Sequence, residues 1–165
     1  MGLVGALAVA LVWVVAGTLE APVVNAGDSA PSFDITTDLG HHMTPKSFGG
    51  KLLVLNLWAS WCQPCVEETP SLEAFQRAYA NKGVVVLGVS ADRNDKLYHQ
   101  FVDRFNVAFD TWRDPDGEAG LAARYGTFQF PETYVINSSG KVVMKIPDPQ
   151  NFTDQGFLSR IDSNL

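Results

Sequence analysis

The stretch that most restricts the fold of this 165-residue chain is Leu52-Leu53-Val54-Leu55-Asn56-Leu57, an almost unbroken apolar run leading straight into Trp58-Ala59-Ser60-Trp61-Cys62-Gln63-Pro64-Cys65. A run without polar alternation is the pattern of a strand buried on both faces, as in sheets that are at least partly parallel. Past the cysteines, Val66, Leu72, Phe75, Ala78 and Tyr79 fall at helical spacing, so the pair sits where a strand hands over to a helix. Pro70 predicts a kink in that helix, and Gly83 ends it. Residues 84–89 read as a second buried strand and residues 95–105 as a second amphipathic helix, a βαβα order that calls for parallel strands. Residues 107–112 predict a short strand, 114–117 a turn and 118–125 a short helix. The apolar stretches 133–136 and 141–144 flank Asn137-Ser138-Ser139-Gly140 and predict an antiparallel hairpin; residues 153–162 predict a closing helix. Upstream, Phe33 and Ile35 alternate with polar neighbours as a short strand does, and the folded domain is expected to span residues 27–165.

The first 26 residues have a different character. Residues 2–19 carry no charge over 18 positions, close to the roughly 20 that span a bilayer. The run is apolar all round, so a membrane helix or an export signal is expected rather than a core helix. Val24-Asn25-Ala26 resembles a weak cleavage site before Gly27, which leaves a signal anchor and a cleaved signal peptide both open. No cysteine lies near the end of the run, so a lipoprotein-type anchor is excluded. The whole chain has 12 Lys and Arg against 18 Asp and Glu, a net charge of -6, with no basic run. Nucleic-acid affinity comes from cations neutralising phosphates, and no such partner is expected.

Cys62 and Cys65 are the only cysteines, which excludes a multi-bridge scaffold and a four-thiolate zinc site by count. A strand, a loop and then a helix beginning at CxxC place Cys62 at the helix N-terminus, where free N–H groups and the macrodipole favour a thiolate. Cys62 is therefore the predicted nucleophile. Pro64 is tolerated in the first turn, which lacks helical acceptors for its N–H groups anyway. Cys65 lies one turn inward, near enough to close a disulfide with Cys62 and to resolve a mixed disulfide. A buried resolving thiol needs a base, and Glu68, three residues on along the same helix face, is the candidate. Glu67 reads as an ordinary solvated acid of the first turn. The dithiol carries the electrons itself, so no cofactor and no metal is expected.

Trp61-Cys62-Gln63-Pro64-Cys65 after a buried strand resembles the thioredoxin superfamily. Gly27-Asp28-Ser29-Ala30-Pro31-Ser32-Phe33, Leu55-Asn56-Leu57-Trp58-Ala59-Ser60-Trp61-Cys62, Glu68, and Tyr125-Gly126 ahead of Phe130-Pro131-Glu132-Thr133-Tyr134-Val135-Ile136-Asn137 resemble the TlpA/ResA-like thiol-disulfide reductases. The resemblance implies a thioredoxin-like three-layer α/β fold with a mixed central sheet, an N-terminal β extension and an inserted helix and strand over residues 92–116, preceded here by the apolar N-terminal helix. It matches Asn56 and Glu68 to that branch. It also implies a cis-proline at Pro131 facing the cysteines, with Phe130 presenting backbone to a substrate beside Trp61. Gln129 stands where the family commonly has Gly, and Phe130 is bulkier than usual before the cis-proline, so the partner groove is expected to differ. The function implied is reduction of protein disulfides outside the cytoplasmic membrane of a bacterium, with a transmembrane thiol transporter as electron donor and apocytochrome c as the leading substrate. The membrane itself is a partner if residues 2–19 are retained.

Two other functions compete. Thioredoxin-like copper chaperones bind metal through two cysteines and a distant histidine, but His41, His42 and His99 are the only histidines, and none follows residue 99. A thiol peroxidase is suggested by residues 27–33 and the inserted segment, but Cys62 lies in WCxxC and not in a Thr-x-x-Cys setting. A purely structural disulfide would close too short a loop to stabilise much. Trp58 and Trp61 are expected to pack over the disulfide, Trp112 and the aromatics 101–109 to lie in the core, and His41-His42 to occupy an exposed turn.

Overall fold

The computed structural model describes residues 23–165; the apolar segment 2–19 lies outside the described residues. No helix among the described residues is long and apolar enough to cross a membrane. The elements are β1 (Ile35–Thr36), β2 (His42–Met43), β3 (Leu52–Trp58), α1 (Gln63–Tyr79), β4 (Val84–Ser90), α2 (Asp95–Phe105), β5 (Asp110–Arg113), α3 (Leu121–Tyr125), β6 (Glu132–Asn137), β7 (Val142–Ile146) and α4 (Gln155–Asp162). β3, β4 and β5 run parallel, β6 is antiparallel to β3 and β7 antiparallel to β6, and the order is β5-β4-β3-β6-β7. The mixed sheet expected from the sequence is therefore present, with the apolar run as its central strand.

Every residue of β3 is buried, and its pleat sorts them by face. Leu53, Leu55 and Leu57 point into a core shared with the β1-β2 hairpin and α3. Leu52 and Val54 point into the opposite core, shared with α1 and α4 through Leu72, Phe75, Phe157 and Ile161. Period two then places Asn56, a polar residue in an apolar strand, on the α1 face. Trp58 follows on that face, where α2 packs on it: its ring lies 4.3 Å from Phe101. Gly88 on the neighbouring strand makes room for this, since a Cβ there would lie 2.9 Å from Phe109 and 3.0 Å from Trp58 Nε1.

α1 is the single helix expected through Pro70: the proline can donate no N–H, while Thr69 Oγ1 donates to the Cys65 carbonyl at 2.7 Å and Ser71 Oγ to the Glu68 carbonyl at 2.8 Å. Several boundaries move for physical reasons. The strand expected over 107–112 is shorter and later, because the Ala108 N–H donates to Glu73 Oε1 and leaves the ladder. The helix expected over 118–125 divides into a 3-10 turn at Gly117–Ala119 and α3, and the closing helix begins after Asp154, whose carboxylate caps it. Trp112 is only partly buried. Among the described residues, packing begins at Val24, which is buried and donates its N–H to the Tyr125 carbonyl at 3.1 Å. The chain then lies along the outer edge of β7, exchanging N–H···O bonds from Gly27 to Val142 and from Val142 to Asp28. That covers an edge otherwise open to pairing with another chain.

Candidate active site

The loop after β3 folds back at once, with the Cys62 N–H on the Ala59 carbonyl at 3.1 Å, and Cys62 becomes the N-cap of α1. Its sulfur accepts the Cys65 N–H at 3.2 Å, one of the unpaired donors of the first turn. The two cysteines form a disulfide. Cys62 is 5% exposed and Cys65 1%, so both are buried, the second more completely. On reduction, the helix N-terminus would favour the Cys62 thiolate over that of Cys65.

Glu68 lies one turn beyond Cys65 and is buried. Asn56 Nδ2 donates to Oε1 at 2.8 Å and the Gln150 N–H to Oε2 at 2.9 Å. Asn56 is itself fixed by donating to Thr133 Oγ1 at 3.0 Å. Burial pushes the Glu68 carboxyl up to about 7, against the lowering effect of those two neutral donors. The side chain also lines a cavity of about 390 Å³ with Pro64, Pro149 and Gln150, which gives it a way to exchange protons with water. The expected carboxyl is thus brought to the α1 face beside the cysteine turn. The partners that hold it, Asn56 apart, carry no sequence signal.

The loop before β6 lies beside the cysteine cluster. The Phe130–Pro131 peptide is cis, and Phe130 packs against the cluster that contains both cysteines. Trp61 meets Phe130 edge-on, with centroids 5.8 Å apart. The expectation that both tryptophans cover the disulfide is corrected here: Trp58 is buried behind it, whereas Trp61 is 60% exposed. A ring projecting at a helix start has no neighbouring layer to enter. Phe128 is 75% exposed and Gln129 is exposed on the same loop. Behind the loop, buried Glu132 accepts hydrogen bonds from Thr127 Oγ1 and Tyr134 OH and pairs with Lys145 at 3.1 Å.

The histidines are placed elsewhere. His42 lies in β2 and bonds Asp34, His41 bonds Asp110 at 2.8 Å, and His99 pairs with Asp95 on α2. The exposed turn expected for His41-His42 is thus the end of a hairpin, because Asp110 pulls His41 onto β5. Among the described residues no group of three or more His, Cys, Asp or Glu side chains is arranged to hold a metal ion. A further polar group escaped the sequence reading altogether: Ser60, two residues before Cys62, is bound on both its N–H and its hydroxyl by buried Asp92. Nothing in the spacing of Ser60 and Asp92 announces that pairing.

Comparison with known proteins agrees with this geometry. The family model described as AhpC/TSA matches residues 26–145. The thiol-disulfide oxidoreductase ResA of Bacillus thuringiensis subsp. konkukian is 33% identical over 124 residues, covering 75% of this chain and 70% of that protein. The thioredoxin-like protein YneN of Bacillus subtilis is 32% identical over 121 residues, 72% of this chain and 69% of its own. Among solved structures, a Chlorobium tepidum protein assigned as the thiol:disulfide interchange protein DsbE superposes with a TM-score of 0.76 at 25% identity, over 87% of this chain and 99% of that one.

Proposed function

This chain belongs to the AhpC/TSA family, among ResA-like thiol-disulfide oxidoreductases, and on that footing we propose that it reduces protein disulfides on the outer side of the cytoplasmic membrane. It is a protein-disulfide reductase whose redox group is the Cys62–Cys65 pair. The observation that carries the thiol-exchange reading is Glu68, a buried carboxyl one turn from the resolving cysteine that can take up its proton.

In the reduced enzyme the Cys62 thiolate attacks a substrate disulfide. A mixed disulfide forms and one substrate thiolate leaves. The Cys65 thiol passes its proton to the Glu68 carboxylate, and its sulfur attacks Cys62. The second substrate thiolate leaves, the Cys62–Cys65 disulfide forms, and two electrons have moved to the substrate. Phe130 packs against the cysteine cluster and leads into the cis Pro131, where their backbone would pair with an extended substrate segment and Trp61 would cover its side chains. Sustained reduction in an oxidising compartment needs electrons from across the membrane, so the donor is a transmembrane thiol transporter and residues 2–19 keep the domain near it. Apocytochrome c, whose paired cysteines must be reduced before haem attachment, is the substrate class this arrangement serves.

The test is the reduction potential of the full chain in detergent, equilibrated with glutathione or dithiothreitol buffers. A value near the roughly -270 mV of thioredoxin, or lower, is expected. A value near the roughly -120 mV of a strong oxidant would replace the reductive reading with disulfide formation. Cys65→Ser should trap a mixed disulfide with a disulfide-containing peptide. Trapping by Cys62→Ser instead would reverse the two roles.

A further inference from the structure

Asp92 is 2% exposed, just past the end of β4, and its carboxylate joins two chain segments. Oδ2 accepts the Ser60 N–H at 2.8 Å and the Ser90 hydroxyl at 2.6 Å, while Oδ1 accepts the Ser60 hydroxyl at 2.7 Å. The Asp92 N–H returns to Ser90 Oγ at 3.0 Å, which fixes its backbone beside the hydroxyl its carboxylate accepts. The β3-β4 ladder ends just before this point, with the Ala91 N–H on the Trp58 carbonyl at 2.8 Å. Beyond it, Asp92 continues by side chain what the backbone no longer does, and Ser60 is the residue it holds. Arg113 reaches the Asp92 carbonyl at 3.4 Å and Asp95 at 3.0 Å, but among the described residues no cation lies within 4 Å of the carboxylate itself.

A buried carboxylate of this kind is a poor device for stability alone, because its desolvation offsets much of what its hydrogen bonds contribute. What it does supply is direction. Two bonds to one residue fix both the backbone and the rotamer of Ser60, and the Ala59–Cys62 turn follows from that. We propose that Asp92 is a positioning residue for thiol exchange: by latching Ser60 it holds the turn that presents Cys62 at the N-terminus of α1. The inference rests on Cys62 being the attacking thiol, as argued above. Without the latch the turn is free to rotate, the Cys62 sulfur leaves the Cys65 N–H and the helix axis, and attack slows.

The test is alkylation of the reduced full chain by iodoacetamide, in which the thiolate sulfur displaces iodide, with peptide mass spectrometry identifying the cysteine modified. Cys62 is expected to react first. Ser60→Ala and Asp92→Asn should each slow it about tenfold at neutral pH and shift its pH profile, and the double variant should be no slower than Asp92→Asn. Ser60→Thr, which keeps the hydroxyl, should restore the rate. Thr37→Ala removes a comparable hydroxyl from buried Asp110, a carboxylate that holds the β1-β2 hairpin to β5, and should leave the Cys62 rate within twofold. Should Asp92→Asn fail to fold, Ser60→Ala and Ser60→Thr decide the matter alone. Folded Ser60→Ala reacting at Cys62 with the wild-type rate and pH profile overturns the latch. Modification of Cys65 first overturns instead the assignment of Cys62 as nucleophile.

Discussion

α1 buries two glutamates to the same extent, Glu68 and Glu73 at 5% exposed each, and the helix puts them in opposite electrostatic settings. Glu73 pairs with Arg77 one turn on, at 3.2 Å, and accepts the Ala108 and Phe109 N–H groups at 2.6 and 3.4 Å. It ties the helix to the segment entering β5. Glu68 receives only neutral donors, from Asn56 and Gln150, and no lysine or arginine among the described residues pairs with it. Desolvation is then unopposed by any cation, and its carboxyl is pushed up to about 7. At equal burial, one carboxyl has a cation beside it and the other has only neutral donors.

The comparison is broken most directly by pH. In the unfolded chain Glu68 titrates near 4.5, and in the folded oxidised protein near 7. Between those values the folded state holds a proton that the unfolded state has lost, so stability falls as pH rises through the interval. Below it, both states are protonated and Glu68 costs nothing. Above it, the buried charge costs on the order of 3 kcal/mol. Glu68→Gln should therefore gain stability over the wild type by that order between pH 4 and pH 8, measured by denaturant unfolding of the oxidised form. A constant difference across that range would remove the contrast. The same variant should slow resolution of a mixed disulfide about a hundredfold near pH 7, within the range of general-base contributions.

Glu73→Ala sharpens the other side. It strands two backbone N–H groups and is expected to lose roughly 2 to 3 kcal/mol of stability, with the rate of thiol exchange within twofold of wild type. A large rate effect would mean that Glu73 also serves the site. Arg77→Ala should have the smallest effect, below about 1 kcal/mol, because the Arg77 side chain is 68% exposed.

Much of the architecture was legible because its signals are local. The apolar run 52–57 could only be a doubly buried strand, and the alternation either side of Asn137-Ser138-Ser139-Gly140 could only pair across a tight turn, which Asn137 Oδ1 closes by accepting from the Ser139 and Lys141 N–H groups. The start of β5 was less legible, since the capture of Ala108 by Glu73 depends on a three-dimensional neighbour, whereas the Asp154 cap of α4 is a local contact with Gly156 and Phe157. In the site, Cys62 and Cys65 are marked by spacing and Glu68 by helical phase. Thr133, Gln150, Ser60 and Asp92 are ordinary polar residues until the chain brings them together.

By itself the sequence determined that a redox-competent dithiol starts a helix behind a buried strand, because residue spacing and hydrophobic period act over a few neighbouring positions. Only the tertiary structure decided what surrounds that dithiol. Glu68 is held by residues 12 and 82 positions away, and Ser60 by one 32 away. Desolvation and hydrogen-bond geometry depend on distance in space, and separation along the chain does not reveal it.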